Sequence, residues 1–408
     1  MDRARRRFLS TSAVAGGLFV AACADQSQGQ PRANQPLKNA PPAVEEPGQP
    51  VKPSLAYGVL LCGGNKINPE TGDKVFVFTQ VNIDEVVKAK GVGEGNAKVN
   101  TEIGFLAHGV IKHPRHAHRI VAFEKKGPGG CEIDLKANTI LRRIAPSKGC
   151  EFYGHGAYSA DAKVLYATEY DKESYEGRMV IRDAEDMKVI GEFPTHGEWP
   201  HDCTFMDDGK VVAITNGGGH IEGGAEPCVT YVSVPKGELI ERITFDNPLI
   251  NAGHLLVSSK GDLAVSHAMR EGYHGEEALG AMSLRPKDGK FRTMVSPAAV
   301  TAAMKGETLS LVLHEESGIV AATNPFGTNS GLVTFWNMAE QKYVSHEHLE
   351  QPRGVALTLD QKFWVVTIGK EKPGVVLFDR ESRKPAAPAI AFECSSQGSH
   401  AYIHNYWG

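Results

Sequence analysis

The sequence has little net charge and few of the motifs that identify common enzyme classes. Its 44 Lys and Arg residues nearly balance 48 Asp and Glu residues, which gives a formal net charge of −4 at pH 7. It has no basic stripe of the kind that nucleic acid requires, so we expect no nucleic-acid partner. It also lacks G-x-S-x-G, a P-loop, H-E-x-x-H and C-x-x-C-H. The sequence therefore gives no support for a serine hydrolase, a P-loop nucleotide site or a zinc protease of these types, and covalent c-type haem is excluded.

The sequence has no apolar stretch near its start that is long enough to be a comfortable membrane span. Residues 13–22 are apolar, follow the twin-arginine pattern Arg5-Arg6-Arg7 and end in the lipobox-like sequence VAAC at Cys23. We expect residues 1–23 to be a twin-arginine signal peptide and Cys23 to be lipidated, with an ordinary signal peptide cut nearby as the alternative. Residues 24–54 are rich in Pro, Gln, Ala and Asn and predict a flexible linker. The expected location is the periplasm.

Residues 55–408 contain a sequence repeat. A polar marker residue, an apolar run, a turn and a second apolar strand recur seven times, 43 to 56 residues apart. The marker residues are His108, His155, His201, His254, Ser310, Arg353 and His400. A repeat of this length made of strands is typical of a β-propeller with one four-stranded blade per repeat. We therefore predict an all-β, seven-bladed β-propeller over residues 55–408.

The two ends of this predicted domain indicate one shared blade. The sequence stops eight residues after His400, where the first turn of a blade would come, and residues 55–64 resemble a second strand. One blade would then take its inner strand from the C-terminal end and its other three strands from the N-terminal end, which leaves neither sheet edge exposed. Helical periodicity is scarce and is confined to residues 84–90 and 298–304.

Cysteine is also scarce, and C-x-x-C spacing is absent, which argues against thiol redox chemistry or a zinc ribbon. Apart from Cys23, the six cysteines are Cys62, Cys131, Cys150, Cys203, Cys228 and Cys394. An oxidising compartment permits disulfides among an even number of cysteines. Cys131 with Cys150, inside one repeat, is the favoured pair.

The marker histidines raise the question of function. In a propeller the first strand of each blade lines the central channel, and its start lies on the same face as the end of the second strand. We therefore expect the starts to converge near the axis: His108, His155, His201, His254, Arg353 and His400. Around them we expect the residues at the ends of the second strands: Glu169, Asn216, His267 and Asn324. We also expect Trp199 to form a wall over the site.

Several interpretations of these histidines remain open. Their rings could hydrogen-bond to turns and backbone within each blade, as Gly-His pairs do in other propellers, and the protein would then be an interaction scaffold. Alternatively, three or four neutral imidazoles could bind a transition metal, copper or iron. A small anion held by protonated histidines and Arg353 is a further possibility. A metal or a histidine base would also permit a redox or lyase-type enzyme.

Several motifs resemble one bacterial family, the domain-of-unknown-function family 1513. They are FYGHGAYSAD at 152–161, YATE at 166–169, GEFPTHG at 191–197 and TNGG at 215–218. The resemblance is strong over residues 105–220 and patchy to about 370, and it departs from the family pattern at residues 250–254. It implies a periplasmic propeller with a twin-arginine signal and no established activity. Members tend to be encoded beside imelysin-type iron-uptake proteins and a di-haem oxidoreductase, which implies a role in metal acquisition.

The predicted architecture is also similar to that of nitrous oxide reductase, an exported seven-bladed propeller with a copper cluster held by hub histidines. We expect no counterpart of that enzyme's electron-entry cupredoxin domain, so this analogy favours binding over turnover. The leading prediction is a membrane-anchored periplasmic propeller that binds copper or iron for uptake, delivery or sensing. Periplasmic metal-uptake or redox proteins would be its partners.

Overall fold

The computed structural model describes residues 55–89, 97–275, 281–304, 306–326, 331–369, 373–386, 391–394, 397–398 and 400–406. These residues belong to one compact unit, residues 50–408. The predicted signal peptide, Cys23 and nearly all of the predicted linker lie outside the described residues. Within the described ranges, no helix is long and apolar enough to cross a membrane.

The fold is all-β, and the described residues form 28 strands in antiparallel sheets. We call each set of four neighbouring strands a sheet unit. Unit 1 begins the series with β1 (Val59–Ile67), β2 (Lys74–Asn82) and β3 (Lys98–Glu102). Units 2 and 3 comprise β4 (Ala107–Lys112), β5 (Arg119–Gly127), β6 (Gly130–Asp134), β7 (Thr139–Arg143), β8 (Cys150–Tyr158), β9 (Val164–Asp171), β10 (Glu176–Asp183) and β11 (Val189–Glu198).

Four further units follow in chain order. Units 4 and 5 comprise β12 (Pro200–Met206), β13 (Val211–Asn216), β14 (Cys228–Ser233), β15 (Leu239–Thr244), β16 (Leu255–Val257), β17 (Leu263–Ser266), β18 (Met282–Arg285) and β19 (Arg292–Thr293). Units 6 and 7 comprise β20 (Ser310–His314), β21 (Ile319–Asn324), β22 (Leu332–Asn337), β23 (Lys342–His348), β24 (Pro352–Leu357), β25 (Phe363–Ile368), β26 (Gly374–Asp379) and β27 (Ala391–Glu393). The last strand, β28 (Tyr402–His404), returns to unit 1.

The return of β28 closes the series of units. Its residues pair antiparallel with β1, where Leu61 lies opposite Tyr402 and Val59 opposite His404. The predicted sharing of one sheet by the two ends of the domain is therefore confirmed. The first strand begins later than the predicted residue 55, because the Asp84 carboxylate accepts hydrogen bonds from the backbone N–H groups of residues 56–58. Because these three N–H groups bind the Asp84 side chain, they do not extend the strand pairing of β1.

The core lies between consecutive sheet units. Ala213 and Val229 of unit 4 pack in one cluster with Leu263 and Val265 of unit 5. Between units 2 and 3, the stacked rings of Phe123 and Phe152 lie 4.3 Å apart. Second strands such as β13 are buried along almost their whole length, because a sheet unit lies on each side of them. Each fully buried aliphatic or aromatic side chain stabilises this packing by about 1.5–3 kcal/mol.

Helices are few and short in the described part of the chain. They are α1 (Ile83–Lys88), α2 (Ala298–Ala303) and a 3-10 turn at Asp207–Gly209. The predicted helices at 84–90 and 298–304 are confirmed to within two residues. Helix α1 begins where it does because the Asn82 side chain accepts a hydrogen bond from the Glu85 N–H.

Cys131 and Cys150 are both buried and form no disulfide with one another, so the predicted Cys131–Cys150 disulfide is wrong. Cys131 packs in a cluster with Val59 and Leu61 of unit 1. Its thiol therefore faces unit 1, whereas Cys150 begins the first strand of unit 3, on the other side of unit 2. Burial also raises the pKa of the Cys131 thiol to about 12, which keeps it protonated and unreactive.

Candidate metal centre

Five of the predicted marker histidines converge in the structure, and we call them the hub histidines. They lie in or directly before the first strands of five sheet units and are all buried, with at most 8% of any residue exposed: His108, His155, His201, His254 and His400. Each unit contributes one imidazole to a shared interior point. A sequence repeat has therefore produced a cluster in space.

The hub histidines are in mutual contact. His108 Nε2 lies 3.0 Å from His201 Nε2 and 3.1 Å from His254 Nε2. The ring centroids of His254 and His400 are 4.0 Å apart, and those of His155 and His400 are 4.9 Å apart. One ring nitrogen from each of His108, His155, His254 and His400 lies within 4.8 Å of the others. Four buried histidines are thus close enough to bind one metal ion.

Two glycines permit this close approach between units 2 and 3. A Cβ atom at Gly109 would lie 2.3 Å from the Gly154 carbonyl oxygen, and one at Gly154 would lie 2.4 Å from His108 Cδ2. Gly154 also has φ = +103°, a conformation that other residues adopt only with strain. Glycine is therefore required at the point where the first strands of these two units meet the hub.

Asp202 orients one hub histidine, and sequence analysis missed it. Its Oδ1 atom lies 3.0 Å from His155 Nδ1, and its carboxylate also accepts hydrogen bonds from the Cys203 and Leu255 N–H groups. A carboxylate bound to Nδ1 holds the proton there and leaves Nε2 with a free lone pair. His155 Nε2 is buried and has no hydrogen-bond partner within the described part of the chain. This is the arrangement that metal-binding histidines usually have.

Burial keeps most of the hub uncharged. It is the main cause that lowers the pKa of His108, His201, His254 and His400 well below the ordinary value of 6.5. The Lys125 ammonium and neighbouring imidazoles act in the same direction. These four rings are therefore neutral at pH 7 and present lone pairs, as metal ligands must. Neutral rings argue against the alternative of a small anion held by protonated histidines and Arg353.

Two cations lie near the hub. Burial lowers the pKa of Lys125 to about 8, so its ammonium is mostly protonated at pH 7. Arg353, predicted to converge with the histidines, is the second residue of β24 and acts electrostatically on His400. Its Nε atom is buried without a hydrogen-bond partner in the described residues, and burial lowers its pKa. The seventh marker, Ser310, accepts a hydrogen bond from the Val355 N–H instead.

Two cavities reach the hub. The first has a volume of about 280 Å³ and is lined by His201, Lys125, Trp199 and Glu307, among others. The second has a volume of about 490 Å³ and is lined by His155, His254 and His400, together with aliphatic side chains of the first strands. The two cavities share no lining residue. The hub therefore lies between them.

Trp199 lies in the wall of the first cavity, as the sequence predicts. Its ring packs edge-on against Tyr175 with centroids 5.4 Å apart, and the Lys126 ammonium lies 4.0 Å from its centroid. Lys126 also lies 3.4 Å from the Glu271 carboxylate. The ring is thus fixed by contacts on two sides and narrows the approach to His201.

The predicted ring of second-strand ends does not join the hub. Each of these side chains binds the segment that enters its own sheet unit. Glu169 pairs with Arg182 and accepts a hydrogen bond from the Ser147 N–H. Asn216 accepts a hydrogen bond from Thr195 Oγ1 at 2.7 Å. These two predicted site residues therefore hold entering segments in place.

His267 and Asn324 repeat the arrangement in units 5 and 6. His267 binds the Asn251 carbonyl through Nδ1 and Ser283 Oγ through Nε2, both at 2.8 Å. The Asn324 amide donates to the Glu307 carbonyl and to Thr308 Oγ1. A structural histidine in this fold thus has both ring nitrogens satisfied, whereas His155 Nε2 and His400 Nε2 in the hub have no partner in the described residues.

Comparisons with known proteins agree with this fold. The model of a family described as a protein of unknown function, DUF1513, matches residues 102–398. No curated protein matches the chain. Among solved structures, hydrazine synthase of Kuenenia stuttgartiensis matches with a TM-score of 0.54 and 12% sequence identity. That match covers 86% of this chain and 99% of the other, and at this identity it concerns the fold alone.

Proposed function

This chain belongs to the DUF1513 family of proteins of unknown function, and we propose that it is a seven-bladed β-propeller that binds a transition metal ion at its hub histidines. The metal is copper or iron, and the role is uptake, delivery or sensing. We further propose that the protein is exported to the periplasm by the twin-arginine route and anchored through lipid on Cys23. The single observation that carries the metal proposal is the convergence of four buried imidazoles, one from each of four sheet units.

The sheet arrangement supports the propeller. In the described residues the strands form five four-stranded sheets and one eight-stranded sheet, in which β5 also pairs with β8. Divided at that link, the 28 strands make seven sets of four in chain order, with the last strand returned to the first set. Consecutive sets pack face to face through apolar clusters. A propeller of this kind leaves only short sheet edges on which another chain could add.

The spacing of the hub nitrogens supports metal binding. Metal–imidazole bonds are about 2.0–2.1 Å long, so two ligands at right angles lie about 2.9 Å apart and two tetrahedral ligands about 3.3 Å apart. His108 Nε2 is 3.0 and 3.1 Å from the nearest nitrogens of His201 and His254. The lone pairs of two neutral imidazole nitrogens repel each other at this distance unless a proton lies between them. A metal ion bound to both nitrogens would replace that proton. Binding of one ion by all four rings requires the set to contract from its 4.8 Å span.

The type of donor limits the choice of metal. The hub offers imidazole nitrogens only, and imidazole suits copper, iron, nickel and zinc, whereas calcium and magnesium require oxygen ligands. Four of the five hub rings are neutral at pH 7: His108, His201, His254 and His400. This favours metal binding, because no proton has to leave these nitrogens first. Asp202 adds the carboxylate that orients His155.

The structure also weakens the scaffold alternative for the histidines. The hydrogen bonds expected of structural residues are made by Glu169, Asn216, His267 and Asn324, at the ends of second strands. The entering segments of units 3 to 6 are therefore already held without the hub histidines. A separate purpose for five buried imidazoles is needed, and metal binding supplies one.

Elemental analysis of protein purified from its native compartment tests the proposal. We expect close to one equivalent of copper or iron, and loss of that metal in the double variant His155→Ala, His400→Ala. His348→Ala is the control, because His348 is an exposed histidine on β23. Wild-type protein with well below one equivalent of any transition metal, and with no tight rebinding of added Cu²⁺ or Fe²⁺, would contradict the proposal.

A further inference from the structure

Two buried cysteine thiols meet where the series of sheet units closes. Cys62 lies in β1 of unit 1, and Cys394 directly follows β27 of unit 7. Both belong to one apolar cluster, with 1% and 3% of the residue exposed. Their side chains are hydrogen-bonded to one another. Residues from opposite ends of the domain thus bring two thiols within hydrogen-bonding reach of one another.

The backbone around Cys394 is fixed beside β1. The Cys394 N–H donates to the Pro373 carbonyl of unit 7, at 3.1 Å. A few residues later, the Gly398 N–H donates to the Gly63 carbonyl of unit 1, at 2.8 Å, and the Asn65 side chain binds Gln397. Cys394 is therefore held to unit 7, and residues 397–398 are held to β1 beside Cys62. This segment leads directly to His400 and β28.

The hydrogen bonds of this closure are few. Strand β28 pairs with β1 through three residue pairs, whereas β1 and β2 pair over nine. A covalent bond between Cys62 and Cys394 would join units 1 and 7 next to this short ladder. It would also hold the segment that carries His400.

We propose that Cys62 and Cys394 form a disulfide that closes the propeller covalently. Two S–H bonds break and one S–S bond forms, with release of two protons and two electrons. The electrons pass to a disulfide-containing oxidant of the thiol-exchange class, which becomes a dithiol.

The other four cysteines have different surroundings. Cys131 packs among aliphatic residues of units 1 and 2, and Cys228 Sγ lies 3.0 Å from the Arg242 guanidinium. Cys203 is also buried in an apolar cluster. Cys131 and Cys228 therefore serve as matched controls that share burial but lack a neighbouring thiol in the described residues.

The test is refolding of the full chain in a mixture of reduced and oxidised glutathione, followed by alkylation, non-reducing digestion and mass spectrometry. We expect a mass two hydrogens below that of the reduced protein and one linked peptide pair that contains Cys62 and Cys394. Cys131→Ser and Cys228→Ser should keep this pair, and Cys62→Ser or Cys394→Ser should lose it. The oxidised wild type should melt roughly 5 °C or more above the reduced wild type.

The proposal is overturned if every thiol of the refolded wild type takes up the alkylating reagent after denaturation without reductant. It is also overturned if the linked peptides join a different pair. Both readouts use the wild-type protein, so they stand even if a serine variant fails to fold. They do not involve metal, and their outcome is independent of the proposed function.

Discussion

Asp202→Asn should weaken metal binding at the hub while the protein remains folded. The Asp202 carboxylate binds His155 Nδ1 at 3.0 Å and two backbone N–H groups. Asparagine has the same shape but one acceptor oxygen and no charge, so it no longer fixes the proton on Nδ1 of His155. Loss of such a carboxylate from a ligating histidine typically lowers metal affinity 10- to 100-fold, which is about 1.4–2.7 kcal/mol.

The assay is a competition titration of Cu²⁺ or Fe²⁺ against a chromophoric chelator, with thermal unfolding of the metal-free protein measured in parallel. One buried N–H left without an acceptor costs about 1–3 kcal/mol, so a lowered Tm is expected as well. Asp161→Asn is the control, because Asp161 lies in the exposed hairpin turn of unit 3. Unchanged metal affinity in a folded Asp202→Asn protein would refute the role assigned to this carboxylate.

Three further predictions concern charge, acid and backbone space. Lys125→Met should strengthen metal binding several-fold in the same titration, because a cation beside the hub is removed, whereas Lys126→Met should not, because Lys126 is paired with a carboxylate. Burial lowers the pKa of His267 to about 4, so below about pH 6.5 the unfolded chain binds a proton that the folded protein refuses. Urea titrations should therefore show stability falling from pH 6.5 towards 4, by about 3 kcal/mol for this group alone, and His267→Gln should reduce that slope. Gly154→Ala should lower both Tm and metal affinity by displacing a hub ring, whereas Gly149→Ala, at φ = +83° with no atom within 4 Å, should lower Tm through backbone strain but leave metal affinity unchanged; equal losses of metal affinity in the two variants would count against the steric explanation.

The repeat in the sequence was sufficient to predict the strand sets, their closure and the meeting of the histidines. The reason is that strand periodicity and repeat length fix which residue of each unit begins the first strand, and those starts share one place in the fold. His400 illustrates this, since it precedes β28 in unit 1 just as His254 precedes β16 in unit 5. No knowledge of individual contacts was needed.

Side-chain direction could not be predicted in the same way. The pairing of β12 with β13 shifts register between Pro200 and Cys203, so simple alternation does not place His201 and Asp202. For this reason Asp202, next to a marker residue, was missed. Likewise, the polarity of Glu169 and Asn216 suits either a ligand site or a hydrogen bond to an entering segment. Only the register of the sheets decides between them.

The position of β28 has a consequence for the order of assembly during synthesis. The ribosome makes this strand after the 27 other described strands, and the same segment supplies His400 to the hub. Strand β1 cannot pair with β28 until β28 has been synthesised. Because the two strands lie at opposite ends of the domain, we expect their pairing to be a slow step of folding. An unfinished chain can hold four hub imidazoles but not the fifth. The complete set of five hub histidines is therefore assembled only after β28 has been made.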